Sequence, residues 1–277
     1  NEYSRIQALP EKTTAERLCK YQQLCSLYEN FLFFAVTFGK IIVSEKYVAA
    51  AQKTIKPING GYAGGQKFLY HGIFFKFACD DQGLHTDDYY AAKVGGHELK
   101  SAMRFSGARG LNVPLMALID YRGFRLVAMA WVPTMGERTI VYGSCDAHKN
   151  VAHRDDAEFA ATVERVARSL NLAPHVCGRT AQQTLMLPVD FEGHCVLDDD
   201  GHKHFYALDF ARVFPPACDR ATRFDPLRNA YLVRLLRPEF VAAWPRPLSS
   251  DACSPFGDAD RAAHDSELER ASRHLRE

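Results

Sequence analysis

The chain has 277 residues, of which 47% are hydrophobic and 24% charged, and its formal net charge is +1 at pH 7. This composition is typical of soluble globular proteins and supplies a core for one large domain or two small ones. The near-neutral charge gives no support to the general basic surface expected of a nucleic-acid or anionic-membrane binder, and it leaves a local basic patch open. We find no run of about 20 apolar residues and no signal-peptide pattern, so we expect a cytoplasmic protein without membrane insertion.

The eight cysteines are scattered, with no CxxC pair and no Cys/His grouping at zinc-ligand spacing. We expect them to be small, buried hydrophobic residues. One tight histidine pair, His202 and His204, would place both imidazoles on the same face of a strand. The sequence favours a solvated turn there over a metal site.

A long helix is predicted near the N-terminus. Thr13 and Glu16 have the spacing of a capping box, and apolar residues then recur at helical spacing until Phe38. Gly39 is expected to end this helix. The breadth of the aromatic-rich face predicts a mostly buried helix that belongs to the core.

A glycine-rich loop follows, with Gly60, Gly61, Gly64 and Gly65 within six residues. Glycine lets the backbone approach a ligand closely, and successive free N–H groups can hold a phosphate. The loop fits neither the P-loop nor the Rossmann pattern, so a hairpin tip is the alternative interpretation.

Two charged residues downstream are candidates for the same ligand site. Lys76 lies inside an aromatic strand predicted over 68–78, where a lysine either extends from an edge or is held for a phosphate or carboxylate. Glu98 lies on a helix predicted over 89–105 and could pair with Lys76. The apolar runs that follow, at 111–119 and 124–132, predict a core hairpin.

The central stretch, 187–216, reads as a β-hairpin around the acidic turn 198–201. The hairpin places Asp190 and Asp209 at the ends of two neighbouring strands. Such a carboxylate pair suits a divalent cation or a phosphate-bearing ligand, since hard cations take oxygen ligands. Two ordinary strand ends would look the same.

The composition changes after Pro245, where Pro, Ser, Asp, Ala and Arg dominate. We therefore predict a flexible polar tail over 246–277 that is dispensable for folding, with at most a partner-dependent helix over 258–276. The predicted class is α+β, with mixed helices and antiparallel hairpins in a domain over 1–245. A two-lobed, kinase-like arrangement with lobes 1–135 and 136–245 is the alternative form.

Nine short blocks, occurring in order, together resemble the Clu domain, the central domain of the clustered mitochondria family. They are Asn1-Glu2 with Leu9-Pro10, the block from Pro57 to Phe75, Glu98-Leu99-Lys100, Asp120 to Arg125, Tyr142-Gly143-Ser144 with Asp146, Leu170-Asn171-Leu172 with His175, Glu192-Gly193-His194, Asp209 to Pro216, and Leu236 to Phe240. The resemblance covers about residues 1–244. It implies a cytosolic scaffold with protein partners, linked to mitochondrial distribution and to mRNAs of mitochondrial proteins, and it implies no catalytic residues.

A second hypothesis is a kinase-like phosphotransferase that uses ATP and Mg²⁺. Phosphoryl transfer needs backbone donors, a lysine for the phosphates, and carboxylates for metal and nucleophile. The loop 60–65, Lys76, Asp190 and Asp209 would supply them. The segment 189–212 also resembles the catalytic and metal-binding loops of small-molecule kinases. It departs from them at Cys195, where those loops have the metal-binding Asn, and at Ala211, where they have Gly. The near-neutral charge predicts weak or absent RNA binding by this domain alone.

Overall fold

The computed structural model describes residues 2–58, 66–144, 151–177, 185–218 and 229–277. Its helices are α1 (Glu2–Gln7), α2 (Thr14–Ser44), α3 (Asp88–Phe105), α4 (Ala157–Ser169), α5 (Ala230–Val233), α6 (Pro238–Ala243) and α7 (Arg261–His274). Its strands are β1 (Pro57–Ile58), β2 (Lys67–Tyr70), β3 (Ile73–Phe77), β4 (Leu111–Asn112), β5 (Met116–Tyr121), β6 (Phe124–Ala130), β7 (Ile140–Gly143), β8 (His153–Arg154), β9 (His175–Cys177), β10 (Leu185–Leu187), β11 (Glu192–Leu197) and β12 (Lys203–Leu208). The predicted α+β class is confirmed.

The chain divides into two compact units that each use separate parts of the sequence. The first contains Gln66–Phe77, Pro114–Trp131 and the described part of Asn1–Gly60. The second contains Ala78–Val113 and the described part of Val132–Glu277. Residues 78–113 therefore group with the second unit, whereas a division into consecutive lobes at residue 135 would put them in the first.

The first unit is an antiparallel sheet covered by α2. The strand order is β1–β2–β3–β6–β5, and the predicted core hairpin is the β5–β6 pair. Phe31 and Ala35 of α2 are buried in one cluster with Ile119 and Leu126 of the sheet. A Cβ at Gly39 would lie 2.5 Å from Ile119 Cδ1, so this glycine allows the helix to approach the sheet.

The capping box of α2 is confirmed, but two other expectations for this helix are wrong. Thr13 Oγ1 accepts from the Glu16 N–H at 3.2 Å, and Glu16 Oε2 accepts from the Thr13 N–H at 2.8 Å. The helix continues through Gly39 to Ser44 because packing on the sheet outweighs the low helix propensity of one glycine. The helix is also not mostly buried, since much of its apolar surface faces outward.

By length and composition α2 could cross a membrane, which was not expected from the sequence. This is weak evidence for a span, because the core helix of a soluble protein can pass the same test. Phe31, Ala35 and Ile42 of α2 belong to the core cluster of the first unit. The helix therefore has a role in the fold that accounts for the apolar residues on its inner face.

The second unit contains a five-stranded sheet in the order β4–β12–β11–β7–β8. The predicted central hairpin is confirmed as β11 and β12, with Glu192 opposite Leu208. The predicted helix after residue 155 is α4, and the Asp156 side chain caps its N-terminus by accepting from the Phe159 N–H at 3.0 Å. A separate antiparallel pair, β9 and β10, completes the strands of this unit.

The C-terminal stretch 246–277 packs into the second unit instead of forming a flexible tail. Leu248, Leu268 and Ala271 are all buried there. Cys218 and Cys253 form a disulfide, so these two cysteines are not merely small hydrophobic residues. The stretch has few large apolar residues, but Leu248 and Leu268 are almost fully buried. Ser272 Oγ also accepts from the Cys218 N–H at 2.8 Å.

Candidate functional site

The predicted site residues fall in different parts of the molecule. Lys76 lies on β3 in the first unit, and Glu98 lies on α3 in the second, where it is buried. Asp190 precedes β11 and Asp209 follows β12, both in the second unit. The four loop glycines, Gly60, Gly61, Gly64 and Gly65, lie outside the described residues. The nucleotide role of this set stays a prediction.

Asp190 is held by hydrogen bonds from Ser144 and Arg212. Its Oδ1 accepts from the Ser144 N–H at 2.7 Å, and its Oδ2 accepts from Ser144 Oγ at 2.6 Å and from Arg212 Nη2 at 3.1 Å. Burial raises the pKa of this carboxyl, and the opposing effects of Arg212 and Ser144 do not cancel the shift. Asp190 thus joins the end of β7 to the turn after β12.

Gly143 makes the close approach of Ser144 to Asp190 possible. Its φ of +74° lies in the left-handed region that glycine adopts without a steric cost. A Cβ at this position would lie 1.8 Å from the Phe191 carbonyl oxygen. The fold therefore requires glycine at the middle position of the Tyr142-Gly143-Ser144 block.

Arg212 also binds a second carboxylate. Its Nη1 donates to Asp251 Oδ1 at 3.2 Å, and its guanidinium lies 3.8 Å from the centre of the Phe256 ring. Burial by itself would raise the pKa of Asp251. The contact with His175 and the positive charge of Arg212 together lower it by more, so the pKa of Asp251 lies below its usual value. Asp190, Arg212, Asp251 and His175 form an ionic cluster, which we call the Arg212 cluster. His175 and Asp251 are buried in it, and Asp190 and Arg212 are partly exposed.

Three members of the Arg212 cluster had no role predicted from the sequence. His175 and Arg212 lie within blocks that resemble the Clu domain, so the signal for them was present. Asp251 had no such signal, because it lies in the polar stretch expected to be a tail. Burial of Asp251, at 4% exposure, became evident only in the folded chain.

Asp209 differs from Asp190 in its environment. It is exposed, has a φ of +59°, and directly precedes the turn Phe210–Arg212. The strand pairing of Glu192 with Leu208 puts both aspartates at the same end of the hairpin, as predicted. Their proposed catalytic and metal-binding roles stay predictions.

The first unit carries a different kind of candidate site, an exposed apolar stripe on α2. Its members recur every three or four residues along the helix, and we call them the outer stripe: Leu18, Tyr21, Cys25, Tyr28 and Leu32. Leu18 is 58% exposed and Tyr21 is 56% exposed. This spacing is that of a heptad seam, which packs against another helix.

Comparison with known protein families shows to which family the chain belongs. The family described as clustered mitochondria (CLU) matches residues 1–219. The chain belongs to the clustered mitochondria family. The matched part of this family member includes β12, Arg212 and the outer stripe, and the stretch 246–277 with Asp251 lies beyond it. The kinship that the nine sequence blocks indicated is therefore confirmed.

The relatives of this clustered mitochondria family member are much longer proteins. A clustered mitochondria protein homolog of Neurospora crassa is 29% identical over 258 residues, covering 87% of this chain and 19% of the relative. Protein clueless of Drosophila virilis is 29% identical over 229 residues, covering 78% of this chain and 14% of the relative. A homolog of Aedes aegypti is 28% identical over 224 residues, covering 78% and 15%. The chain spans less than a fifth of their length, and no solved structure matches it.

Proposed function

We propose that this domain is a cytoplasmic scaffold that self-associates through the outer stripe of α2 and acts in mitochondrial distribution. Membership of the clustered mitochondria family supports the cellular role. The exposed stripe is the observation that supports self-association. An apolar surface with helical spacing is suited to a protein contact, because burying it removes apolar area from water.

We propose that the outer stripe of one chain packs against the outer stripe of a second copy of the same chain. The residues of the stripe read Leu, Tyr, Cys, Tyr, Leu, in the same order from either end. Two copies packed antiparallel about a two-fold axis would therefore place leucine against leucine and tyrosine against tyrosine, so that each contact occurs twice. Cys25 lies at the middle of the stripe and is exposed. The axis would pass close to Cys25.

The first test is the oligomeric state in solution. We expect sedimentation to show a dimer at micromolar concentration, and Tyr21→Glu with Leu32→Glu to give a folded monomer with an unchanged circular dichroism spectrum. Met103→Glu is the matched control, since Met103 is 66% exposed and lies on α3. A wild-type chain that stays monomeric throughout the micromolar range would overturn the proposal.

Oxidative cross-linking locates the interface. Mild oxidation should link two wild-type chains, and the link should disappear in Cys25→Ser and persist in Cys19→Ser, the other exposed cysteine of α2. Binding of the monomeric chain to neutral lipid vesicles, abolished by Tyr21→Glu, would show instead that the stripe contacts a membrane.

We also propose that messenger RNA is bound weakly, if at all, by this domain alone. The net charge of +1 supports this, because affinity for RNA comes largely from neutralising phosphates and releasing counterions. A filter-binding assay with mitochondrial-protein mRNA at about 150 mM salt should therefore show only weak binding. Micromolar or tighter binding would contradict this part of the proposal.

A further inference from the structure

Three side chains with metal-binding donor atoms meet inside the second unit. One donor atom each from His175, Cys177 and Asp251 lies within 4.8 Å of the other two. All three residues are buried, with exposures of 2%, 5% and 4%. His175 and Cys177 are separated by one residue on β9, so they point to the same side of the strand.

The imidazole of His175 is oriented toward this meeting point. Its Nδ1 lies 3.0 Å from the Ala173 carbonyl oxygen, which can only accept, so Nδ1 donates that hydrogen bond. Its Nε2 lies 3.3 Å from Asp251 Oδ2. Nε2 is buried, and its contact with Asp251 has an ion-pair distance but not hydrogen-bond geometry. A buried nitrogen left in this state is available to a ligand that the protein would bind here.

The carboxylate of Asp251 is oriented in the same way. Arg212 Nη1 binds its Oδ1, so Oδ2 is the oxygen that faces the imidazole. In metal sites, outer hydrogen bonds of this kind hold the ligands in place, typically a backbone carbonyl behind a histidine and a donor behind a carboxylate. Ala173 and Arg212 occupy those two outer positions here.

The geometry argues against a Cys-His-Asp catalytic triad. In a triad the acid and the nucleophile occupy opposite nitrogens of the imidazole. Here Nδ1 is bonded to the backbone, so Nε2 is left to serve both Cys177 and Asp251.

We propose that His175, Cys177 and Asp251 bind a zinc ion. A nitrogen, a sulfur and an oxygen ligand together fit Zn²⁺, whereas Mg²⁺ and Ca²⁺ take oxygen ligands. Zinc bonds of about 2.0–2.3 Å place these tetrahedral ligands roughly 3.3–3.5 Å apart, so the donor atoms need to close by about 1.5 Å at most. Water supplies the fourth ligand.

Zinc would balance the charges of the Arg212 cluster. The ion carries two positive charges, and the Cys177 thiolate and the Asp251 carboxylate carry one negative charge each. The remaining charges, on Arg212 and Asp190, form an ion pair at 3.1 Å. The metal would also connect β9 to the stretch 246–277, so binding should stabilise the packing of that stretch.

The test starts from the full chain freed of metal by chelation and kept under reducing conditions. We expect it to bind one zinc ion per chain with micromolar or tighter affinity, and to melt several degrees higher with zinc bound. Cobalt(II) in place of zinc should produce the thiolate-to-cobalt charge-transfer band of a cysteine ligand. Neither readout depends on knowing the cellular activity.

Variants decide whether the metal lies at the proposed site. Cys177→Ser should remove the charge-transfer band, and Asp251→Asn should weaken zinc binding by at least about tenfold. Cys195→Ser is the matched control, because Cys195 is a free cysteine of the same unit. Circular dichroism of Cys177→Ser checks that the variant folds. If it does not fold, Cys253→Ser decides between the two cysteine-containing groups, because a band that persists in that variant supports the proposed site and a band that is lost overturns it.

Two other groups could bind metal and would produce a different pattern. They are the exposed group of Asp198, Asp200 and His202, and the group of Cys218, Cys253 and Glu269 when its disulfide is reduced. Zinc binding that survives in Cys177→Ser but is lost in His202→Ala or Cys253→Ser would overturn the proposal. So would a wild-type chain that binds no zinc at micromolar concentration.

Discussion

Arg212 donates a hydrogen bond to Asp251 at 3.2 Å, and this pair connects the turn after β12 to the stretch 246–277. The same stretch also contributes buried apolar residues, of which Leu268 is fully buried on α7. The C-terminal stretch is thus part of the second unit's core. Removing it should unfold or strongly destabilise the unit, which is the opposite of what the composition predicts.

Leu268→Ala tests this role without deleting the stretch. We expect a loss of about 2–5 kcal/mol in the free energy of unfolding, because the substitution leaves a cavity in the core. The melting temperature should fall by roughly 5 °C or more. Leu275→Ala is the matched control, since Leu275 is 53% exposed and should change stability by less than about 0.5 kcal/mol. Equal melting temperatures for the two variants would show that α7 does not pack as described.

The two aspartates of the central hairpin should respond differently to substitution. Asp190→Ala removes the acceptor of Ser144 and leaves Arg212 without one of its partners, so we expect a loss of about 3–5 kcal/mol. Asp209→Asn should be nearly neutral, because the residue is exposed and asparagine tolerates a positive φ. Chemical denaturation measures both. A large loss for Asp209→Asn would indicate that its carboxylate has a role the fold does not explain.

Alanine substitutions at Gly143 and Gly201 distinguish the cost of backbone strain from the cost of a steric clash. Both have a positive φ, but a Cβ at Gly201 would meet no atom within 4 Å, whereas one at Gly143 would strike the Phe191 carbonyl. Gly201→Ala should cost about 1–2 kcal/mol for the left-handed backbone alone. Gly143→Ala should cost at least about 3 kcal/mol, because overpacking adds to that strain. Similar losses in urea unfolding would show that β7 moves away from Phe191 easily.

Asp198 should make stability depend on acid pH. Hydrogen bonds from His204 and from the His202 N–H lower the pKa of this carboxyl to about 2. A carboxyl with a lowered pKa stabilises the fold above its unfolded pKa of about 3.9, and this contribution is lost as the pH falls toward 2. Asp198→Asn should therefore melt below the wild type at pH 7, and the difference should shrink below about pH 4. Asp199→Asn, on the exposed neighbour, is the matched control.

Local sequence signals predicted the elements whose contacts are close in the chain. Thr13 and Glu16 are three residues apart, so the start of α2 could be predicted from capping alone. The β11–β12 hairpin followed from two apolar runs around a turn, and its ends placed Asp190 and Asp209 correctly. The nine ordered blocks were sufficient to indicate the clustered mitochondria family. These features need no knowledge of distant parts of the chain.

Contacts between distant segments were decided only by the tertiary structure. The tail prediction used average composition, but burial depends on where each residue lies, and Leu268 and Asp251 are buried although their neighbours are polar. Gly39 has a low helix propensity, yet it lies inside α2 because a larger residue would strike Ile119. Arg212 and Asp251 are 39 residues apart, and His175 and Asp251 are farther apart still. Nothing in the local spacing of the sequence encodes such a pairing, because it forms only when separate segments pack around a common core.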